Sequence, residues 1–200
     1  LASKIVLALQ TIVSREIDPL NPAVVTVGSI HGGSKHNIIP DEVRLQLTMR
    51  SYTDNVREEI ISKIKRIIEG EAISLGIPKE KMPILKLRDQ YTPALYNTPE
   101  FVDQVVTNIK KSIGKENVFE SKAVMGGEDF GRYGRVEPKI PTFLFWLGAS
   151  PVEVWEKSIR GEIDLPGIHS PFFAPDPEPT LKTGIKAMTA AAIGGFNDNK

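Results

Sequence analysis

Hydrophobic residues recur at two different spacings in the first half of the chain. Residues 1–14 and 53–75 carry them at every third or fourth position, which predicts two amphipathic helices. Residues 23–27 are rich in β-branched side chains, and apolar and polar residues alternate over residues 43–50. Two strands are therefore expected between the helices, over residues 23–27 and 37–50. A short strand is predicted over residues 84–88. The predicted order is therefore helix, strand, strand, helix, strand.

That order is a split βαβ, or ferredoxin-like, unit without its first strand. Leu1 begins a helix directly, with no lead-in. We therefore expect the chain to be a piece of a longer polypeptide that is cut inside a structural unit. The missing strand would precede Leu1.

The second half of the chain predicts a different kind of unit. Tyr91, Thr92 and Pro93 are typical of a linker, and Thr98 and Pro99 are good residues to begin a helix that Gly114 would end. Residues 118–119 are a candidate short strand, and the continuous apolar run 142–147 predicts a strand buried on both faces, as in an α/β sheet. Residues 150–169 are expected to be irregular, and residues 180–194 predict an Ala-rich helix. The fold class is α+β followed by α/β, with domains at residues 1–92 and 93–200.

The composition of the chain argues against several classes of function. The 25 basic and 25 acidic residues balance, which argues against a sequence-independent nucleic-acid binder. No apolar stretch approaches the length of about 18 residues that a membrane span needs, so no membrane partner is expected. With no cysteine and only 3 histidines, a metal site made from this chain alone would be rich in carboxylates or incomplete. The neutral charge predicts a cytoplasmic protein.

Three local patterns are candidates for a metal-binding or ligand-binding site. His169 lies in a loop after the predicted buried strand, where a neutral imidazole is a good metal ligand; the alternative is a surface or packing histidine. Gly126 and Gly127 precede two carboxylates, so the backbone there could approach a ligand closely, or the segment could be a capped turn with solvated acids. Asn37 follows a Gly-rich bend and could present its amide to a ligand, and the planar fork of Arg50 suits a carboxylate. The alternative is a plain hairpin with an exposed arginine.

Taken together, several segments resemble a known family in their order and spacing. It is the family of dinuclear-metal amidohydrolases and metallopeptidases that includes aminoacylase and glutamate carboxypeptidase, and the branch with the strongest resemblance is that of hippurate hydrolase and auxin-conjugate hydrolase. The resemblance covers nearly the whole chain and is carried by residues 9–16, 25–28, 37–41, 48–50, 125–130 and 169–173.

The resemblance implies a ferredoxin-like lid domain that makes a homodimer, followed by the C-terminal part of a zinc-exopeptidase-like α/β catalytic domain. It implies two divalent metal ions, which are usually zinc, with manganese or cobalt as alternatives. His169 matches the last metal ligand of the family. Asn37 and Arg50 match lid residues that hold the substrate carboxylate, and Gly126 and Gly127 match a segment whose backbone lines the substrate site.

The implied activity is metal-dependent hydrolysis of N-acyl amino acids or peptides. The other metal ligands and the general-base glutamate of the family lie upstream of the position equivalent to Leu1, so we expect no catalytic residue in this chain and no turnover by the chain alone. Two alternatives stay open. One is a non-catalytic dimerisation or small-ligand-binding module derived from the family, and the other is a stand-alone ferredoxin-like regulatory domain, which leaves the His169 loop unexplained.

Overall fold

A computed structural model describes residues 1–197 of the chain. Its contacts divide the chain into two compact units. The first unit comprises Leu1–Leu95 and Ala123–Val136, and the second comprises Tyr96–Lys122 together with the described residues from Glu137 onward. The domain assignment at residues 1–92 and 93–200 stays a prediction.

The first unit contains the predicted helix, two strands and second helix in the predicted order. They are α1 (Ala2–Thr11), which continues into a π-helical turn over Ile12–Glu16, then β1 (Ala23–Gly32), β2 (Val43–Ser51) and α2 (Asp54–Ser74). Short 3₁₀ turns follow at Lys79–Lys81 and Asp129–Arg135. The start of α2 is confirmed, because the Thr53 hydroxyl accepts a hydrogen bond from the Val56 N–H at 3.3 Å.

The two strands form an antiparallel ladder with one irregularity. Val25 pairs with Met49 and Val27 with Leu47, and the register shifts between Val27 and Ser29. One face of this sheet packs on the helices. The buried core of the unit is Ile5, Leu9, Ile12, Ile17, Val56, Ile60, Ile64, Ile67 and Ile68. Arg50 belongs to the alternate set on β2, so its side chain is exposed.

The second unit contains three helices, and the first and third of them supply its buried core. Its elements are α3 (Pro99–Ile113), a 3₁₀ turn at Lys115–Asn117, α4 (Val152–Ile159) and α5 (Pro177–Asn197). Val105 and Ile109 of α3 are buried with Ala187 of α5. Gly114 ends α3 with a φ of 89°, as its position predicts. Thr98 precedes α3, but its hydroxyl accepts from the Thr142 N–H at 3.2 Å and caps no helical N–H.

Three predicted strands do not form among residues 1–197. Residues 84–88, 118–119 and 142–147 have no strand assignment, because a strand needs a hydrogen-bonded neighbour along its length and apolar character supplies only packing. Leu85 packs on the first core without a ladder. Thr142 and Leu144 of this run are hydrogen-bonded to residues 96–98, without forming a strand. Trp146 is 62% exposed, so the expected burial on both faces is wrong for the described residues.

The bounds of both strands also differ from the prediction. The first strand continues to Gly32 and does not end at Val27. The second strand begins at Val43 and not at Asn37, since residues 33–42 form a loop in which Gly33 has a φ of 83° and Pro40 has no N–H to donate. The segment expected to be irregular, residues 150–169, contains the helix α4. Over residues 1–197, none of the helices is long and apolar enough to cross a bilayer.

Candidate functional site

Arg50 and the glycine pair, which lie far apart in the sequence, are brought together within the first unit. Arg50 lies near the end of β2, and its Nη1 donates a hydrogen bond of 2.6 Å to the Met125 carbonyl. A Cβ atom built on Gly127 would lie 3.7 Å from the same Nη1. The structure therefore places the guanidinium beside the backbone of residues 125–127.

Neither crowding nor backbone conformation requires glycine at these two positions, since a Cβ on Gly126 or Gly127 would come no closer than 3.7 Å to a neighbouring atom. Neither Gly126 nor Gly127 has a positive φ, so other residues could adopt these backbone angles. Both positions are exposed. The lack of side chains leaves the backbone N–H and C=O groups open to a ligand on the side where the Arg50 guanidinium lies. Charge and open backbone together suit a small anion such as a carboxylate.

The two acidic residues that follow have a simpler role. Glu128 precedes the 3₁₀ turn, and its Oε1 accepts a hydrogen bond from the Phe130 N–H at 3.4 Å. This is the capped turn that the sequence left open as an alternative. Asp129 is exposed in the first turn of the same element.

A cluster of charged and aromatic residues that the sequence did not predict lies in the same unit. Nη1 of Arg135 donates to both carboxylate oxygens of Asp54, at 3.1 and 2.9 Å. The guanidinium of Arg57 lies 4.0 Å above the centre of the Tyr91 ring, and Arg132 donates to the Tyr91 carbonyl. Asp54 and Arg135 are 81 positions apart, and no spacing rule could have paired them.

The electrostatics of this cluster favour its charged state. The hydrogen bond from Arg135 holds the pKa of the Asp54 carboxyl below its usual value, against a smaller opposing effect of burial. Reciprocally, the Asp54 hydrogen bond raises the pKa of Arg135. Asp54 is therefore ionised at neutral pH.

Asn37 lies in the exposed loop between β1 and β2. Across residues 1–197, no hydrogen bond joins it to Arg50. The cooperation of these two residues stays a prediction.

His169 lies in an exposed turn of the second unit. The turn is closed by the Ser170 N–H, which donates to the Gly167 carbonyl at 2.8 Å, and by the Phe173 N–H, which donates to the Ser170 carbonyl at 3.1 Å. The imidazole is thus carried by a hydrogen-bonded scaffold and is open to a ligand. His31 lies on β1 opposite Arg44.

The donors in the described part of the chain do not fit a metal ion by themselves. No group of three His, Cys, Asp or Glu residues in residues 1–197 is arranged to hold one. A structural or catalytic zinc needs three or four protein ligands, so His169 could serve only beside donors from outside this set.

Comparison with known proteins gives consistent matches over nearly the whole chain. Residues 1–75 match the peptidase dimerisation domain family. An N-acetyldiaminopimelate deacetylase of Bacillus subtilis is 32% identical over 188 residues, which are 94% of this chain and 44% of the relative. A thermostable carboxypeptidase 2 of Saccharolobus solfataricus is 35% identical over 186 residues, 93% of this chain and 42% of the relative.

A solved structure of similar fold also matches nearly the whole chain. A crystal structure described as an aminohydrolase from methicillin-resistant Staphylococcus aureus superimposes with a TM-score of 0.70 at 30% identity. The match covers 96% of this chain and 44% of that one. The chain therefore spans less than half the length of the relatives that it matches.

Proposed function

Because the chain belongs to the family of amidohydrolases and peptidases that contain this dimerisation domain, we propose that the complete protein hydrolyses the amide bond of N-acyl amino acids. One relative is named as a deacetylase of an N-acetyl compound and another as a carboxypeptidase. Both names describe the cleavage of a C–N amide bond. For this protein, the substrate class is an acyl group joined to an amino acid or peptide that keeps its free carboxylate.

The observation that supports this substrate class is the position of Arg50. Its Nη1 is anchored on the Met125 carbonyl, which orients the planar guanidinium. The remaining N–H donors of the fork could take a carboxylate in a two-point contact, and the bare backbone at Gly127 leaves room for it. Holding the carboxylate at a fixed point orients the neighbouring amide bond for attack, which lowers the entropic part of the barrier.

The metal requirement is part of the same proposal. We infer that the complete protein uses two divalent cations, with zinc as the leading candidate, and that His169 is the ligand that this chain contributes. Its exposed, hydrogen-bonded turn supports this role. We expect His169→Ala to lower the zinc content of the purified complete protein, measured by elemental analysis, while His31→Ala leaves it unchanged. Equal zinc content in both variants would remove His169 from the site.

The match of residues 1–75 supports a proposal for the roles of the two domains. We propose that residues 1–92 form a lid that joins two copies of the protein, and that residues 93–200 belong to the catalytic domain. Asn37 is proposed as a second contact to the substrate carboxylate. Sedimentation of the complete protein tests the dimer, because a monomer at micromolar concentration would contradict it.

The decisive experiment compares substrates with and without the carboxylate. The complete protein is assayed on N-acetyl and N-benzoyl amino acids and on the corresponding amino acid amides, before and after chelation and metal return. Arg50→Ala should lower kcat/KM for the acids by roughly ten- to hundredfold, the range for a hydrogen bond to a charged group, and leave the slow turnover of the amides unchanged. Arg44→Ala is the matched control, since Arg44 lies on the same strand and pairs with Glu42.

Each outcome bears on the proposal. A rate for Arg50→Ala equal to that of the unaltered protein would remove Arg50 from substrate binding. No turnover of any substrate with any metal would refute the hydrolase and favour a non-catalytic dimerisation or binding module.

A further inference from the structure

We infer that a clamp made of Asp54, Arg57, Tyr91, Arg132 and Arg135 positions the Arg50 guanidinium by fixing the segment that carries the Met125 carbonyl. We call these five residues the arginine clamp. They are positioning residues, and their effect on turnover rests on the proposed function.

The first observation is that residues 125–135 are tied at both ends to one short stretch of the first unit. At one end, the Met125 carbonyl accepts from Arg50 at 2.6 Å. At the other end, Arg135 donates to Asp54 at 2.9 and 3.1 Å. Arg50 and Asp54 are joined by the short connection between β2 and α2. Both ends of residues 125–135 are therefore hydrogen-bonded to residues at the junction of β2 and α2.

The middle of residues 125–135 is also in contact with the rest of the first unit. Arg132 donates to the Tyr91 carbonyl, and the ring of Tyr91 lies under the Arg57 guanidinium at 4.0 Å. Gly131 is buried against the backbone that follows Tyr91, where a Cβ would come within 2.9 Å of the Ala94 carbonyl oxygen. These contacts leave residues 125–135 little freedom to move away from Arg50.

The clamp arginines are already partnered, which separates their role from that of Arg50. Arg135 is bound to Asp54, Arg132 to Tyr91, and Arg57 to Tyr91 and Glu58. The Arg135–Asp54 pair has exposed side chains, 37% and 56%, and such pairs contribute little to global stability. Its effect is therefore expected in the geometry of the site and not in the melting temperature.

The test uses the complete protein with Arg135→Ala, Arg135→Lys and the double exchange Asp54→Arg with Arg135→Asp. Arg135→Ala should raise KM for N-acyl amino acids by roughly two- to fivefold, which corresponds to the free energy of an exposed ion pair. The value of kcat should stay unchanged. Arg135→Lys and the double exchange should restore most of the loss. Arg160→Ala is the matched control, because Arg160 forms exposed ion pairs with Glu156 and Glu162 in the second unit.

A readout that needs no substrate keeps the clamp separate from the proposed function. Hydrogen exchange of the amides in residues 125–135 should become faster in Arg135→Ala and stay unchanged in Arg160→Ala. If the unaltered protein turns over no substrate but this exchange difference appears, the proposed function fails and the clamp stands. Exchange and KM both equal to those of the unaltered protein would overturn the clamp. A lower melting temperature with unchanged exchange and KM would also overturn it, because the role would then be only structural.

Discussion

Replacing Gly131 by alanine tests how tightly the 3₁₀ turn is packed. A Cβ at this position would lie 2.9 Å from the Ala94 carbonyl oxygen, 3.0 Å from the Leu95 Cα and 3.1 Å from the Ala94 carbonyl carbon. All three are backbone atoms, so no flexible side chain can move aside. The φ of Gly131 is not positive, and alanine therefore causes no conformational strain of its own. The cost is overpacking, about 1–3 kcal/mol.

The assay is native-state hydrogen exchange of the complete protein. A penalty of this size increases the population of the locally opened state by roughly five- to hundredfold, and amide exchange over residues 129–135 should accelerate by that factor. Gly70→Ala is the matched control. Gly70 is exposed in α2, and nothing lies within 4 Å of a Cβ built there. Alanine at this position should stabilise the helix by about 0.5–1 kcal/mol and slow its exchange.

The reasoning would be refuted if Gly131→Ala exchanged as slowly as the unaltered protein. The close approach of the turn to residues 94–95 would then not exist in solution. Faster exchange in both glycine variants would point to a general intolerance of substitution, and it would remove the specific explanation.

Two further predictions concern the stability of the first unit. Ile60→Ala should lower the free energy of unfolding by about 2–5 kcal/mol, measured by urea denaturation with circular dichroism, because Ile60 is 0% exposed. The hydrogen bond from Arg66 holds the pKa of Glu16 below its usual value. The stability that the ionised Glu16 contributes is therefore fully present above the ordinary glutamate pKa, and it is lost as the pH falls through the lowered pKa of the folded state. Glu16→Gln should therefore lower the free energy of unfolding by up to about 1 kcal/mol at pH 7, a difference that shrinks below about pH 4; a constant difference would contradict this.

Local patterns predicted the helices because their signals lie within a few residues. The cap at Thr53 and the stripe of isoleucines along α2 act over one or two turns, and the structure has the helix at Asp54–Ser74. The same holds for α3, where Pro99 begins the helix and Gly114 ends it. The amphipathic helix α4 was missed, because it is only 8 residues long and lies in a polar stretch.

Strands and site contacts depend on residues that are distant in sequence. An apolar run such as residues 142–147 predicts burial, but the ladder depends on a neighbour that the run itself does not encode. The pairing of Arg50 with Met125 joins positions 75 apart, and only the family resemblance placed their segments in one site. Nothing in that resemblance pointed to Arg135, whose partner Asp54 is equally remote.

The chain passes between the two units three times, after Leu95, after Lys122 and after Val136. Anyone who exchanges residues 1–95 as a block between relatives would therefore carry over Arg50 and Asp54 but leave Met125 and Arg135 behind. Such a chimera would combine the Arg50 guanidinium of one protein with the 125–127 backbone of another. Gene fusions and truncations of this protein should thus transfer residues 123–136 together with the first block, or exchange neither.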